Sequence, residues 1–144
     1  MVRADVLAWG PWRFDRIYVA RNAGAGAQCG SLSRQFFEAD AYARWADARL
    51  LTEAEWEHAV NNSDGLTQCF GERWQRTGSA YLGHPGFTAA AAGAVGEYNG
   101  KFMCNQFVLK GSSSATAFGH ARVTYLNFFQ PEKRWQFSGI RLAQ

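Results

Sequence analysis

The clearest pattern of apolar and polar positions lies in FFEADAYARWADARL, residues 36–50, where Phe37, Ala41, Trp45 and Ala48 recur at helical spacing. This stripe predicts an amphipathic helix over residues 36–50. Glu38 and Asp40 near its start suit the helix dipole, and Asp40 with Arg44 makes an i,i+4 pair. A second face of Ala39, Tyr42, Ala43 and Ala46 is also largely apolar, so the helix is expected to be covered on two sides. The pattern restarts in LTEAEWEHAV, residues 51–60. There the Thr52 hydroxyl can cap a first turn while Glu55, three residues on, reaches back as a capping box. Turn chemistry in residues 61–65, Asn-Asn-Ser-Asp-Gly, ends that second helix.

From Leu66 onward the pattern shortens to strands and long loops. Residues 106–110 (QFVLK), 121–125 (ARVTY) and 138–143 (SGIRLA) are predicted strands, separated by stretches containing Gly, Ser and Pro. Residues 1–34 show no clear period and carry the run AGAGAQCGS, with one strand expected near residues 16–20. The alanine run at residues 88–96 is too short and Gly-broken to predict a helix. The reading is an α+β domain over residues 34–144, preceded by a divergent or truncated lead-in at 1–33. The chain contains no internal repeat and no interdomain linker.

Composition narrows this picture. In 144 residues, 47% hydrophobic content with 6 Trp and 11 Phe supplies enough apolar area for one core, which excludes a disordered chain. Cys29, Cys69 and Cys104 are odd in number and form no C-x-x-C pair, so a reducing cytoplasm is expected rather than a disulfide scaffold. No apolar run is long enough for a signal peptide or a membrane span, and no membrane partner is expected. The net charge is only +3, but beyond residue 100 Lys101, Lys110, Arg122, Lys133, Arg134 and Arg141 face the lone acid Glu132. A basic C-terminal third can attract an anionic ligand or an acidic partner, or it can be a solvated face. No nucleic acid is expected, because the aromatics are spaced like core residues rather than stacking platforms.

Candidate chemistry is sparse. His58, His84 and His120 lie 26 and 36 residues apart, which supports no facial metal triad, and His58 reads as a surface or packing residue. Ser112 to Ser114 lack a G-x-S-x-G setting, and the chain has no G-x-x-x-x-G-K phosphate loop. Glu53, Glu55 and Glu57 alternate along the second helix and read as solvation rather than an acid/base pair. Cys104 reads as a small core residue.

Two blocks carry a resemblance. EADAYARWADARLLTEAEWEHA, residues 38–59, is similar to the signature of the formylglycine-generating-enzyme (sulfatase-modifying-factor) family, with Leu51 in place of the usual proline. GAVGEYNGKFMCNQFVLKG, residues 93–111, and TYLNFFQPEKRWQFSGIRLA, residues 124–143, resemble the ergothioneine-pathway sulfoxide synthases within that family. The resemblance implies an irregular, C-type-lectin-like α+β fold: a small antiparallel sheet, two helices and long loops. It implies a small-molecule substrate, hercynine with a thiol, and non-heme iron supplied by a separate DinB-like domain or protein. No cofactor is expected in this chain itself. Matching site residues are Tyr98 as a catalytic group and Asn99, Gln106, Asn127, Phe128, Phe129 and Arg134 as substrate-binding groups.

The departures are specific. A G-D-V-W-E-W-T box of the relatives stands here as GERWQRT, residues 71–77, and R-G-G-S as Lys110-Gly111-Ser112-Ser113. Ser112 would strain the backbone if its position needs positive φ. Leu126 replaces an arginine, and Phe128-Phe129 stand where some relatives carry Trp-Asp. The paired cysteines that hold copper in formylglycine-generating enzymes have no counterpart in residues 112–122. The expectation is therefore a truncated, substrate-side domain that is not catalytic alone. The alternative is a non-catalytic lectin-like module that binds a small polar or anionic ligand or a protein.

Overall fold

The computed structural model describes residues 3–4, 17–19, 34–63, 66–88 and 100–144. Their elements run β1 (Arg3–Ala4), β2 (Ile17–Val19), α1 (Phe36–Trp45), β3 (Arg49–Leu50), α2 (Glu53–Asn62), β4 (Trp74–Ala80), β5 (Phe107–Lys110), β6 (Leu126–Phe129) and β7 (Ser138–Ala143). A 3-10 turn occupies Gly100–Phe102. None of the described helices is long and apolar enough to cross a membrane.

Both predicted helices form. In α1 the Gln35 side chain and Glu38 close a capping box, and Arg44 holds Asp40 at 2.8 Å. The helix stops short of residue 50. The Ala46 N–H bonds back to the carbonyls of Tyr42 and Ala43, and Asp47 takes a left-handed φ of 52° that turns the chain into β3. α2 follows at once, with the Glu55 N–H donating to the Thr52 hydroxyl and the Thr52 N–H to the Glu55 carboxylate. The corner thus survives without the proline, because the cap alone fixes where the new helix starts.

The buried side of α1 differs from the predicted stripe. Phe37 and Trp45 are 57% and 79% exposed, whereas Ala39 and Ala43 are buried against Leu50 and Leu142. Small residues let the helix sit close on the sheet, whose own Leu142 and Ile140 supply the bulk, with Phe36 the ring of α1 that packs against this cluster.

Among the described residues one sheet runs β1-β2-β7-β4-β5-β6, with β3 also on β7. β2 and β3 both oppose Leu142 and Ala143, so they take opposite edges of β7, and β3 prolongs the edge that β4 occupies. The expected all-antiparallel sheet is corrected here, because β4 and β7 pair in parallel, Trp74 to Ser138 through Arg76 to Ile140. The reason is topological. The β5–β6 hairpin takes one edge of β4, and the chain must cross back to reach the other.

Strand predictions fare unevenly. β5 and β7 stand where expected, and β2 falls within the expected residues 16–20. The strand expected at 121–125 lies at Leu126–Phe129 instead, because the Tyr125 N–H closes a turn on the Arg122 carbonyl. β4 had no predicted counterpart. Its Trp-Gln-Arg-Thr run is buried on both faces, so it lacks the polar-apolar alternation that marks a half-exposed strand.

Strand register sorts the core into two layers. Gln75, Thr77, Val108, Lys110, Arg141 and Ala143 point to the α2 side, and Trp74, Arg76, Leu109, Ile140 and Leu142 to the α1 side. α2 seals its side with Trp56 and Ala59 against Leu51, Cys69 and Ala143. The sheet is therefore a middle layer between two helices, and the architecture is α+β.

Candidate functional site

The altered tryptophan box builds the polar interior. Gln75 is buried and uses its whole amide. Its Oε1 accepts from Trp56 Nε1 at 2.6 Å and from Arg141 Nε, while its Nε2 donates to the carbonyls of Gln68 and Cys69 at 3.1 and 3.2 Å. Arg141 also donates to the Thr67 carbonyl, and burial pushes its pKa down, opposed by the nearby Cys69 and Glu72. Burial likewise raises the Cys69 thiol.

The adjoining Lys110-Gly111-Ser112-Ser113 segment threads against residues 69–72. Gly111 has φ +86°, and a Cβ there would lie 2.3 Å from the Cys69 carbonyl oxygen. Ser112 has no positive φ and accepts from the Gly71 N–H at 2.7 Å, so the expected strain at Ser112 is absent. The glycine requirement rests on Gly111 alone.

Lys110 has no solvent exposure. Its Nζ lies 2.6 Å from Glu57 and 3.5 Å from Glu53, with the Trp56 ring 5.7 Å away. The reading of Glu53, Glu55 and Glu57 as simple solvation is corrected. Glu53 and Glu57, one helical turn apart, bracket this buried ammonium, and Glu55 pairs with Arg49 at 2.6 Å. Burial alone would raise the Glu55 carboxyl, but hydrogen bonds from Arg49 and the Thr52 backbone hold it below its ordinary value.

The sequence-derived site residues fall into two groups around β6, the last strand of the sheet. On the α1 side, Asn127 stands in register with Leu109 and Arg76, and Phe129 with Phe107. Phe107 stacks on Phe36 at 3.8 Å, and Phe129 meets Trp135 edge-on at 6.0 Å. The Asn127 Oδ1 accepts from the Phe128 N–H at 2.8 Å, and among the described residues its amide NH2 has no acceptor. On the α2 side, Phe128 stacks on Tyr81 with centroids 4.2 Å apart, and the Gln106 carbonyl accepts the Tyr81 N–H. Burial and the charge of Glu53 raise the Tyr81 phenol. The sheet separates Phe128 from Asn127 and Phe129, yet both groups flank one open sheet edge. Tyr98 and Asn99 lie outside the described residues.

Arg134 is engaged rather than free, with a nitrogen 3.1 Å from Glu38 Oε1, which Arg34 also approaches at 3.8 Å. Beneath them Arg76, buried, donates to the carbonyls of Arg34 and Lys133 at 2.6 and 2.8 Å. Its Nη1 has no partner, and burial pushes its pKa down to about 10, with Glu38 opposing the shift. Three arginines thus gather on one carboxylate. Composition hid this cluster, since Glu38 read only as a helix-start acid and Arg76 as a lost box position.

Cys104 is exposed, which corrects its reading as a core residue, while Cys69 is buried. The physical reason is local: Cys104 sits in a surface turn ahead of Asn105, whose φ is 54°. His120 meets Tyr125 edge-on at 4.7 Å, and Tyr125 in turn packs on buried Trp74. Among the described residues no three of His, Cys, Asp and Glu lie together as a metal-binding set. The described donor groups therefore do not fit iron, and no step through iron is assigned to them.

Sequence comparison places this geometry beside known proteins. The chain is similar to hercynine oxygenases. It is 30% identical to the hercynine oxygenase of Mycolicibacterium smegmatis over 152 aligned positions, covering 75% of this chain and 36% of that protein. The hercynine oxygenases of Mycolicibacterium thermoresistibile and Mycobacterium tuberculosis are each 28% identical over the same 75% share. The chain spans about a third of the length of these curated relatives. No protein-family profile matches it.

Proposed function

We propose that this chain is the substrate-side part of a cytoplasmic protein like the hercynine oxygenases, built on the lectin-like formylglycine-generating-enzyme fold and not catalytic alone. The observation that carries this reading is the similarity to hercynine oxygenases over three quarters of the chain. Hercynine and a thiol are the proposed substrates. Oxygen chemistry would come from non-heme iron held by a separate DinB-like domain or protein. This chain's own residues bind and orient. The Asn127 NH2, which has no acceptor among the described residues, donates to a substrate carboxylate at the β6 edge, and Phe128 and Phe129 form apolar walls on the two sides of that strand. Gln106 and Asn99 add polar contacts, and Tyr98 carries a proton-transfer role. Arg134, paired with Glu38, contributes a held guanidinium rather than a mobile one.

The purified chain incubated with iron(II), hercynine, oxygen and cysteine or γ-glutamylcysteine is expected to form no sulfoxide. Adding a DinB-like iron protein should restore it, and product from the chain alone would sink the proposal. A second reading, a non-catalytic module for a small anionic ligand, is favoured by the gathering of Arg34, Arg76 and Arg134 on one glutamate. Titration calorimetry with a small dicarboxylate should then show binding that weakens with salt and with Arg134→Ala; insensitivity to both would remove it.

A further inference from the structure

Arg76 is 2% exposed, yet part of its guanidinium meets no acceptor. Its Nε and Nη2 donate to the Arg34 and Lys133 carbonyls, which are neutral. Among the described residues its Nη1 has no partner. A guanidinium offers its N–H groups as parallel pairs, so the Nε side is occupied and the terminal pair, Nη1 with the outer N–H of Nη2, is open. The group stays charged at neutral pH, since burial lowers its pKa only to about 10. A buried cation is costly unless a negative charge meets it. Glu38 makes no such contact: its Oε2 accepts from the Gln35 N–H, and its Oε1 faces Arg134 and Arg34.

The same layer holds a second unpaired group. Gln136 is 7% exposed between the exposed Trp135 and Phe137, so its amide turns inward. Among the described residues neither its Oε1 nor its Nε2 has a partner, and Arg76 and Gln136 together supply three of the five buried side-chain atoms in that condition. The two residues are neighbours through the backbone that binds them. Arg76 donates to the Lys133 carbonyl, three residues before Gln136. The Ser138 hydroxyl, two residues after Gln136, donates to the Arg34 carbonyl that Arg76 also uses. Segment 133–138 is therefore laid along the guanidinium, with Gln136 in its middle. In the relatives' G-D-V-W-E-W-T box a tryptophan takes the place of Arg76, so the exchange lowers side-chain volume here while adding charge.

We propose that Arg76 and Gln136 form a buried site for one small, planar oxyanion that also carries a hydroxyl, the chemistry of hydrogencarbonate. Two of its oxygens accept from the terminal guanidinium pair. On the adjacent edge its O–H donates to Gln136 Oε1, while the neighbouring oxygen accepts from Nε2. All three unpaired atoms are then satisfied, and one negative charge answers the one guanidinium that no carboxylate touches. Burial limits the ligand to a few atoms. The site deepens the anionic-ligand reading and rests on it only for the sign of the charge, since it lies at Arg76 rather than at Arg134.

The test is calorimetric titration of the full chain with sodium hydrogencarbonate or sodium formate in mildly alkaline buffer, with thermal melts at constant ionic strength balanced by chloride. Hydrogencarbonate is expected to bind with dissociation on the order of 1 mM. At about 100 times that concentration it should shift the folding equilibrium about 100-fold. Formate has no O–H for Gln136 Oε1 and should bind about tenfold more weakly. Gln136→Leu should bring the two anions level. Glu38→Gln keeps an acceptor for the Gln35 N–H and removes a competing negative charge, so it should tighten binding, which a merely structural Arg76 would not do. Arg76→Trp and Arg76→Met should abolish the response to both anions. Circular dichroism checks that each variant is folded; if both Arg76 variants unfold, the Gln136 and Glu38 variants decide. Melts that respond alike to hydrogencarbonate and chloride overturn the proposal, as does a response that survives Arg76→Met in a folded chain. Dicarboxylate binding that depends on Arg134, without any effect of hydrogencarbonate, would keep the anionic-ligand reading and reject this site. The converse result would reject the dicarboxylate and keep the site.

Discussion

Replacing Gln75 with leucine keeps most of the side chain's bulk and removes both ends of its amide. Four hydrogen bonds disappear, and their partners are unequal. The Trp56 indole N–H belongs to a fully buried ring, and the Arg141 Nε belongs to a guanidinium whose Nη1 already lacks a partner. Gln68 is exposed, so water can serve its carbonyl. Leaving a buried donor unsatisfied costs about 1–3 kcal/mol, with a charged donor at the upper end, so the two donors together imply about 3–5 kcal/mol. That is a large share of the ~5–15 kcal/mol that stabilises a domain of this kind. Equilibrium unfolding in urea, followed by tryptophan fluorescence, is the assay. With a slope of about 1–3 kcal/mol per molar, the midpoint should fall by roughly 2 M. Gln75→Glu separates the causes. It keeps an acceptor for both donors and adds charge pairing with Arg141, but turns an oxygen towards the Gln68 and Cys69 carbonyls. It should lose less than half as much as the leucine variant. A leucine variant within about 1 kcal/mol of the parent would refute the account of Gln75 as the organising group of this layer.

Gly111→Ala should destabilise by at least ~3 kcal/mol, since it combines a positive φ with a 2.3 Å clash against the Cys69 carbonyl; thermal melts would show it, and a drop of under ~1 kcal/mol would contradict the geometry. Glu57→Gln leaves the buried Lys110 with only Glu53 at 3.5 Å and should cost about 3–5 kcal/mol in the same urea assay. Lys110→Met should cost less, because Glu53 and Glu57 both keep some access to water. The Glu55 carboxyl has a folded pKa below its unfolded value of about 4.3, so the stability it adds is present above that pH and is lost as pH falls through the folded value. Glu55→Gln should therefore flatten the acid limb of the stability–pH curve, and an unchanged limb would exclude the pair with Arg49.

The helix corner was readable because its causes are local. Thr52 and Glu55 lie three residues apart and need nothing from the rest of the chain to cap α2. β5 and β7 were readable from short apolar runs between turn residues. The face of α1 was not, since both sides of that helix are apolar, and only the distance to Leu142 decides that alanines rather than rings go inward. β4 escaped for the opposite reason. Gln75, Arg76 and Thr77 look like solvent residues, and their burial depends on partners as far as 66 positions away in the chain. The candidate site divides along the same line. Asn127, Phe128 and Phe129 came from a resemblance, whereas Tyr81, Glu38 and Arg76 join them only through long-range packing.

The order in which strands are made is not the order in which they lie. β7, built from residues 138–143, is the strand on which β2, β3 and β4 all converge. On a ribosome, everything upstream of Ser138 must wait with its central seam open. Leu50, Leu51 and Trp74 can meet their final neighbours only after residues 138–143 have been made. Any premature stop before codon 138 would release not a shortened domain but two unjoined half-sheets, each with an exposed edge ready to pair with another chain.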